Sequence, residues 1–265
     1  VSGDVGLFGP DSVAWRVHSD PIMLVGGLRA LMVQALHPVA MAAVAQHSGF
    51  ENDAWGRLRR TAEYITATTF GDTAAAEAAA DGVKRVHDRI NGTDPFTGRH
   101  YSAHDPDLLL WVHCVEVHSF LYGYRRYVGG ISAEDCDRYV AEMVAAAELI
   151  GLPPAMAPAS MDELRTYLWS APMVVTEAAR EALRFLNDPP FGDGQHPLRP
   201  VWQLPMAGAI AILPSRVRGL YGIRWTPIAA PLVRLGVGGL FAILKRVLPP
   251  APAIEDARRR AAGVA

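Results

Sequence analysis

Residues 53–92 read DAWGRLRRTAEYITATTFGDTAAAEAAADGVKRVHDRING, and this stretch decides the fold class. Asp53 stands where a helix N-cap is expected, and helix-forming residues follow it to Phe70. Gly71 takes the position past the helix end, where a left-handed residue is cheapest. The alanine-rich run from Asp72 to Ile90 then forms a second helix, stopped by Asn91-Gly92. A link of one or two residues forces these helices into an antiparallel hairpin. With the turn centred on Asp72, Arg57 lies fifteen residues before it and His87 fifteen after, each about 22 Å along its helix at the standard rise. Arg57 and His87 therefore stand at one height. Thr61, one turn from Arg57 on the same face, joins them if those faces point inward.

The same punctuation extends in both directions. Asp11 is placed to cap a short helix to about Ser19, and Pro21 opens an apolar helix, Ile22 to Leu36, broken at His37-Pro38 and resumed from Val39 to His47. Downstream, Asp105-Pro106 starts a helix over Leu108 to Val128 that ends at Gly129-Gly130. Ser132 with Asp135 resembles a capping box for a helix to Ile150, and Ser160 with Glu163 marks another start, with a break near Pro172 and an end near Leu186. Leu152 to Pro158 is a linker, residues 187–200 are turn-rich, and beyond Pro200 short helices alternate with prolines. Runs of alternating β-branched residues are almost absent. The expectation is an all-α domain over residues 1–265, with a core over about 11–187 and a packed C-terminal helical portion over about 200–262.

Twenty-five basic and 27 acidic residues give a formal charge of −2, which lacks the clustered basic excess of a nucleic-acid binder. Cys114 and Cys136 are the only cysteines, so there is no disulfide framework, no CxxC pair and no CxxCH haem-attachment motif. Residues 1–21 lack the pattern of a secretory signal, and a cytoplasmic protein is expected. Leu204 to Leu213 is too short to span a bilayer, and Pro227 to Leu248 is interrupted by Arg234, Lys245 and Arg246. Peripheral membrane contact through that second, amphipathic stretch stays open.

The cluster of Arg57, Thr61 and His87 is compatible with haem binding but does not by itself point to it. A neutral imidazole is a common iron ligand, a guanidinium can pair a haem propionate, and a threonine hydroxyl can donate to a bound oxygen species or to a propionate. Periodicity alone favours a plainer role, with His87 a half-buried helix histidine between Lys84 and Asp88 and with Arg57 and Arg60 on a solvated face. His113 and His118 are five residues apart, about 140° around a helix, and cannot share one metal ion. His113 forms an inward stripe with Val117, Phe120 and Tyr124, read as ordinary core or as a wall of the pocket. His37 faces either the cavity or the helix end, as a cation favoured by the dipole. Cys114 reads as a buried helix residue. HExxH, paired Glu-x-x-His, GxGxxG and GxxxxGK[ST] are all absent from the chain.

The ordered string Ala35-Leu36-His37-Pro38, His47-Ser48, Arg57 with Thr61, Thr69-Phe70-Gly71, His87 and Gly92 resembles the core of a bacterial and fungal oxygenase family. It continues through Tyr101, Asp105-Pro106, Trp111-Val112-His113, Tyr124, Tyr127, Gly151-Leu152-Pro153, Leu213-Pro214, Arg216 and Tyr221. Members of that family include the rubber oxygenases, or latex clearing proteins, and the fungal oxygenase of mycophenolic acid synthesis. The resemblance implies a mostly helical fold and non-covalent haem b, with His87 as the proximal iron ligand and Arg57 and Thr61 in the same pocket. Arg60, His37 and His113 are further candidates for contact with the haem. Rubber oxygenases carry a lysine before the threonine, where this chain has Arg60; an arginine stays protonated and is a poor iron ligand. By resemblance the partners are dioxygen and a hydrophobic small molecule, which is oxygenated or oxidatively cleaved. The alternative is a non-catalytic haem- or lipid-binding helical protein.

Overall fold

A computed structural model of the chain describes residues 3–47, 50–189, 199–226 and 228–263; Ser48, Pro227 and most of the turn-rich stretch 187–200 lie outside the described residues. It is mostly α-helical. Among the described residues, thirteen helices run in the order α1 (Val13–His18), α2 (Met23–Gln34), α3 (Pro38–His47), α4 (Phe50–Phe70), α5 (Thr73–His87), α6 (Pro106–Tyr127), α7 (Ala133–Leu149), α8 (Met161–Ser170), α9 (Glu177–Asn187), α10 (Arg199–Ala211), α11 (Ser215–Leu220), α12 (Ala229–Val247) and α13 (Pro252–Ala261). Between α5 and α6 a two-stranded antiparallel hairpin pairs β1 (Asn91–Thr93) with β2 (His100–Ser102), in the register Asn91 opposite Ser102.

The centre of the molecule is the packing of α2 on α6. Two glycines permit it: a Cβ on Gly26 would lie 3.0 Å from the Phe120 Cα, and one on Gly123 would lie 3.3 Å from the Gly26 Cα. Trp111, fully buried on α6, donates its indole N–H to the Gln34 carbonyl at 3.1 Å, securing the end of α2. Arg29 is buried in the same interface. Its guanidinium donates to the Ser119 hydroxyl and, at 3.2 Å, to the Ile212 carbonyl, and lies 5.3 Å from the centre of the Tyr122 ring. Burial lowers its pKa to about 10, so it stays charged at neutral pH. Gly26→Val should force α2 and α6 apart and lower unfolding free energy by about 1–3 kcal/mol, as overpacking does. Denaturant titration checks this, and a variant as stable as the parent would refute the close-approach reading.

Helix ends follow local chemistry, with corrections. Asp72 caps α5 by accepting from the Ala75 N–H at 2.8 Å, and Ser132 and Ser160 cap α7 and α8. Ser12, not Asp11, caps α1 through the Trp15 N–H. Helix α4 starts at Phe50, so Asp53 lies inside it rather than at its cap, because the preceding turn also continues the helical backbone. Gly71 is not left-handed. A glycine is needed there because a Cβ would sit 2.3 Å from the Ala67 carbonyl oxygen. At His37-Pro38 helices α2 and α3 meet with a bend of 105°. His37 is not a cation at a helix end: its Nδ1 accepts from the Ala40 N–H at 3.2 Å, which requires an unprotonated nitrogen and caps α3.

The later helices are fastened to this framework by side-chain-to-carbonyl bonds. Tyr127 donates to the Gly208 carbonyl and Tyr221 to the Met32 carbonyl, each at 2.7 Å. Helix α13 packs its Ile254 and Ala257 against Trp15 of α1 and Phe70 of α4, and Arg260 donates to the Phe70 carbonyl at 2.5 Å. Among the described residues no single helix is long and apolar enough to cross a membrane; only the bent pair α2 and α3 passes by length and composition together, and its apolar residues are largely buried in the core.

Candidate functional site

Helices α1, α4, α6 and α7 line a narrow cleft with a cavity volume of about 50 Å³ that opens to solvent. Its walls are largely apolar, with six polar side chains among them: His18, Tyr64, Thr68, Thr69, His113 and Glu116. His18 closes one end. Its Nδ1 lies 2.8 Å from the Thr69 hydroxyl and its Nε2 2.8 Å from the Tyr139 hydroxyl, and burial pushes its pKa down to about 3, so the ring is neutral. His113 is buried as well, with its pKa brought down to about 4 by desolvation.

Glu116 sits three residues, one turn, from His113 on α6. Its Oε1 accepts from the Gln34 side-chain amide at 3.2 Å. Desolvation raises its pKa to about 7 against the opposing effects of that hydrogen bond and of the Arg57 charge. The cleft therefore presents a carboxyl group that holds its proton near neutral pH. Because the folded pKa lies above the ordinary 4.5, the native state binds this proton more tightly than the unfolded chain does. Stability should thus fall as pH rises between about 4.5 and 7, by about 1.4 kcal/mol per unit of displacement. Glu116→Gln should remove that component, so urea titrations at about pH 5 and about pH 8 should differ less in the variant than in the parent. An identical pH dependence in both would refute the assignment.

Arg57 of α4 lies outside the cleft walls but within reach of the Glu116 charge. Its guanidinium is largely desolvated, which lowers its pKa together with the nearby Arg60 charge, while Glu116 raises it. Arg57 and Glu116 feel one another's charge without an ion pair among the described residues. Arg60 and Thr61 lie on the exposed side of the same helix, and the Thr61 hydroxyl donates to the Arg57 carbonyl at 3.1 Å.

His87, at the last position of α5, is half-buried and occupies a different neighbourhood. Its ring meets the His104 ring edge-on with centroids 5.8 Å apart, and His104 in turn bonds to Asp88 at 2.8 Å. Desolvation, then the His104 charge, lower the His87 pKa, with Asp88 opposing, so the imidazole is neutral at neutral pH. Its Nδ1 is buried and has no hydrogen-bond partner. His37 packs on Trp111 with ring centroids 5.5 Å apart, outside the walls of the cleft.

Of the residues expected from sequence, His113 lines the cleft with Glu116, Arg57 lies outside its walls but acts on the Glu116 charge, Thr61 bonds to the Arg57 backbone, and His87 and His37 stand apart from the cleft walls. Sequence reasoning missed Glu116 and His18. A lone carboxylate interrupting the apolar run of α6, one turn from His113, was the signal for the first; nothing local marks the second. Among the described residues no group of three or more His, Cys, Asp and Glu is placed to hold a bare metal ion. A haem would bring most of its iron's ligands with it and ask the protein for a single further one; the neutral His87 ring with its unpartnered Nδ1 would be a residue to hold it, and the buried Nδ1 of His118 is likewise unpartnered.

Residues 15–241 match the family model described as ER-bound oxygenase mpaB/B'/Rubber oxygenase, catalytic domain. Comparison with curated proteins and with solved structures returned no match.

Proposed function

We propose, from the premise that this chain belongs to the family of ER-bound oxygenase mpaB/B' and rubber oxygenase catalytic domains, that it is a haem b-dependent oxygenase of a hydrophobic small molecule. The observation that carries the cofactor is His87: a neutral, half-buried imidazole whose Nδ1 is buried without a partner. An unpaired buried polar atom costs stability unless another group satisfies it. His87 would hold the iron, and Arg57 would pair a propionate with its desolvated guanidinium. Haem b, when bound, supplies the dioxygen chemistry.

The chain's own residues set the conditions for that chemistry. The largely apolar walls of the cleft favour an occupant without charge. Glu116 holds a proton at its carboxyl near neutral pH and can give or take it within the cleft, with Gln34 fixing the orientation of Oε1. His113 and His18 stay neutral, so they keep the cleft free of competing charge.

The test is dioxygen uptake by the reduced, haem-loaded protein against a panel of terpenoid and unsaturated fatty compounds. The expected outcome is uptake that depends on substrate, with oxygen found in the product by mass spectrometry. Haem bound tightly with no uptake across the panel would instead assign a non-catalytic carrier.

A further inference from the structure

Helix α12 is apolar on both of its sides. One side faces the molecule, where Val237 and Phe241 are buried and Val237 packs over Gly208 of α10. The other side is open: Ile228 just before the helix is 82% exposed, Leu235 74%, Val247 72%, Leu232 69% and Ile243 61%. At about 100° per residue these five fall within roughly 120° of the helix circumference. Gly239 lies on the same arc, with nothing within 4 Å of the place a Cβ would take, which leaves the middle of the face flat. A surface helix normally turns charged residues to this side, and a helix apolar all round needs a second apolar environment.

Charge indicates which environment that is. From Gly194 to Ile254 the chain holds seven Arg and Lys and no Asp or Glu, although the whole chain carries a net −2. Lys245 is paired with Asp20 and holds the helix to the body. Arg224, Arg234 and Arg246 form no ion pair among the described residues, and Arg246 falls within the apolar arc near the helix end. Long aliphatic stems let arginines at such positions lie along an apolar layer while the guanidinium reaches phosphate. A second copy docked by this face would set one acid-free basic region against another, which like charge disfavours.

We infer that the outer face of α12 is a lipid-docking surface that lies in the plane of an anionic membrane, with Leu232, Leu235, Ile243 and Val247 inserted among the acyl chains and Arg246 at the headgroup phosphates. The inference is independent of the haem assignment.

The experiment is co-sedimentation of the full chain with vesicles of equimolar phosphatidylcholine and phosphatidylglycerol, and with vesicles of phosphatidylcholine alone. The wild type should bind the mixed vesicles about ten-fold more tightly than the neutral ones, with binding weakened by salt. The double variant Leu232→Asp/Ile243→Asp should lose at least about ten-fold in binding. Its thermal unfolding midpoint should match the parent's, since both side chains are exposed. Failure of the wild type to sediment with the mixed vesicles, or equal sedimentation of wild type and variant, would overturn the inference. So would a vesicle-free chain that self-associates at micromolar concentration and becomes monomeric in the double variant, because the face would then belong to a second copy.

Discussion

Trp111→Ala should lower the unfolding free energy by about 3–5 kcal/mol, the range found for removing a large aromatic side chain from a packed core. Trp111 is fully buried on α6, its ring lies beside His37, and its indole N–H satisfies the Gln34 carbonyl. The substitution therefore opens a cavity and strips a hydrogen bond from the end of α2, where the chain bends by 105° into α3. Urea unfolding followed by far-UV circular dichroism reads the change. A loss below about 1 kcal/mol would mean that the junction collapses around the gap and that Trp111 does not secure the bend. By comparison Ser132→Ala, which deletes only the cap of α7, should cost about 1 kcal/mol.

His87→Ala should abolish substrate-dependent dioxygen uptake and weaken haem retention by more than the roughly 10–100-fold that follows loss of a partner outside the ligand shell. The same variant should be close to the parent in stability, because the deleted ring is half-buried, sits at the last residue of α5 and leaves no hydrogen bond behind at Nδ1. Added imidazole should restore part of the haem affinity in His87→Gly by supplying the missing ring. Rescue distinguishes a ligand from a packing residue, since a free imidazole does not refill a core contact. His104→Ala should leave haem bound, because that ring only flanks His87.

Local chemistry was the legible part of the sequence. Ser132, Ser160 and Asp72 mark helix starts because each side chain bonds to a backbone N–H three residues on, within the same short stretch. The bend at His37-Pro38 was legible for the same reason. The helix boundaries at Asp11 and Asp53 were misplaced by one and four residues because more than one residue near each end can make the turn. The hairpin of β1 and β2 escaped because three-residue strands are too short to show a period of two. Counting through Gly71-Asp72 set Arg57 and His87 at equal height on α4 and α5, but height does not fix rotation about a helix axis. Arg57 turned toward Glu116 of α6, while His87 turned toward His104. Glu116 matters because of what surrounds it in three dimensions, namely Gln34 from α2 and Arg57 from α4, and no window along α6 contains either.

The oxygenase family is established by the match over residues 15–241, and the central claim beyond it is that His87 holds a haem iron. The most direct measurement is the absorption spectrum and haem stoichiometry of the purified wild type beside His87→Ala, both prepared with ample haem. The account predicts about one haem per chain with a Soret band in the wild type, and in the variant a shifted or absent Soret band with reduced stoichiometry. An unchanged spectrum and unchanged stoichiometry in His87→Ala would contradict it.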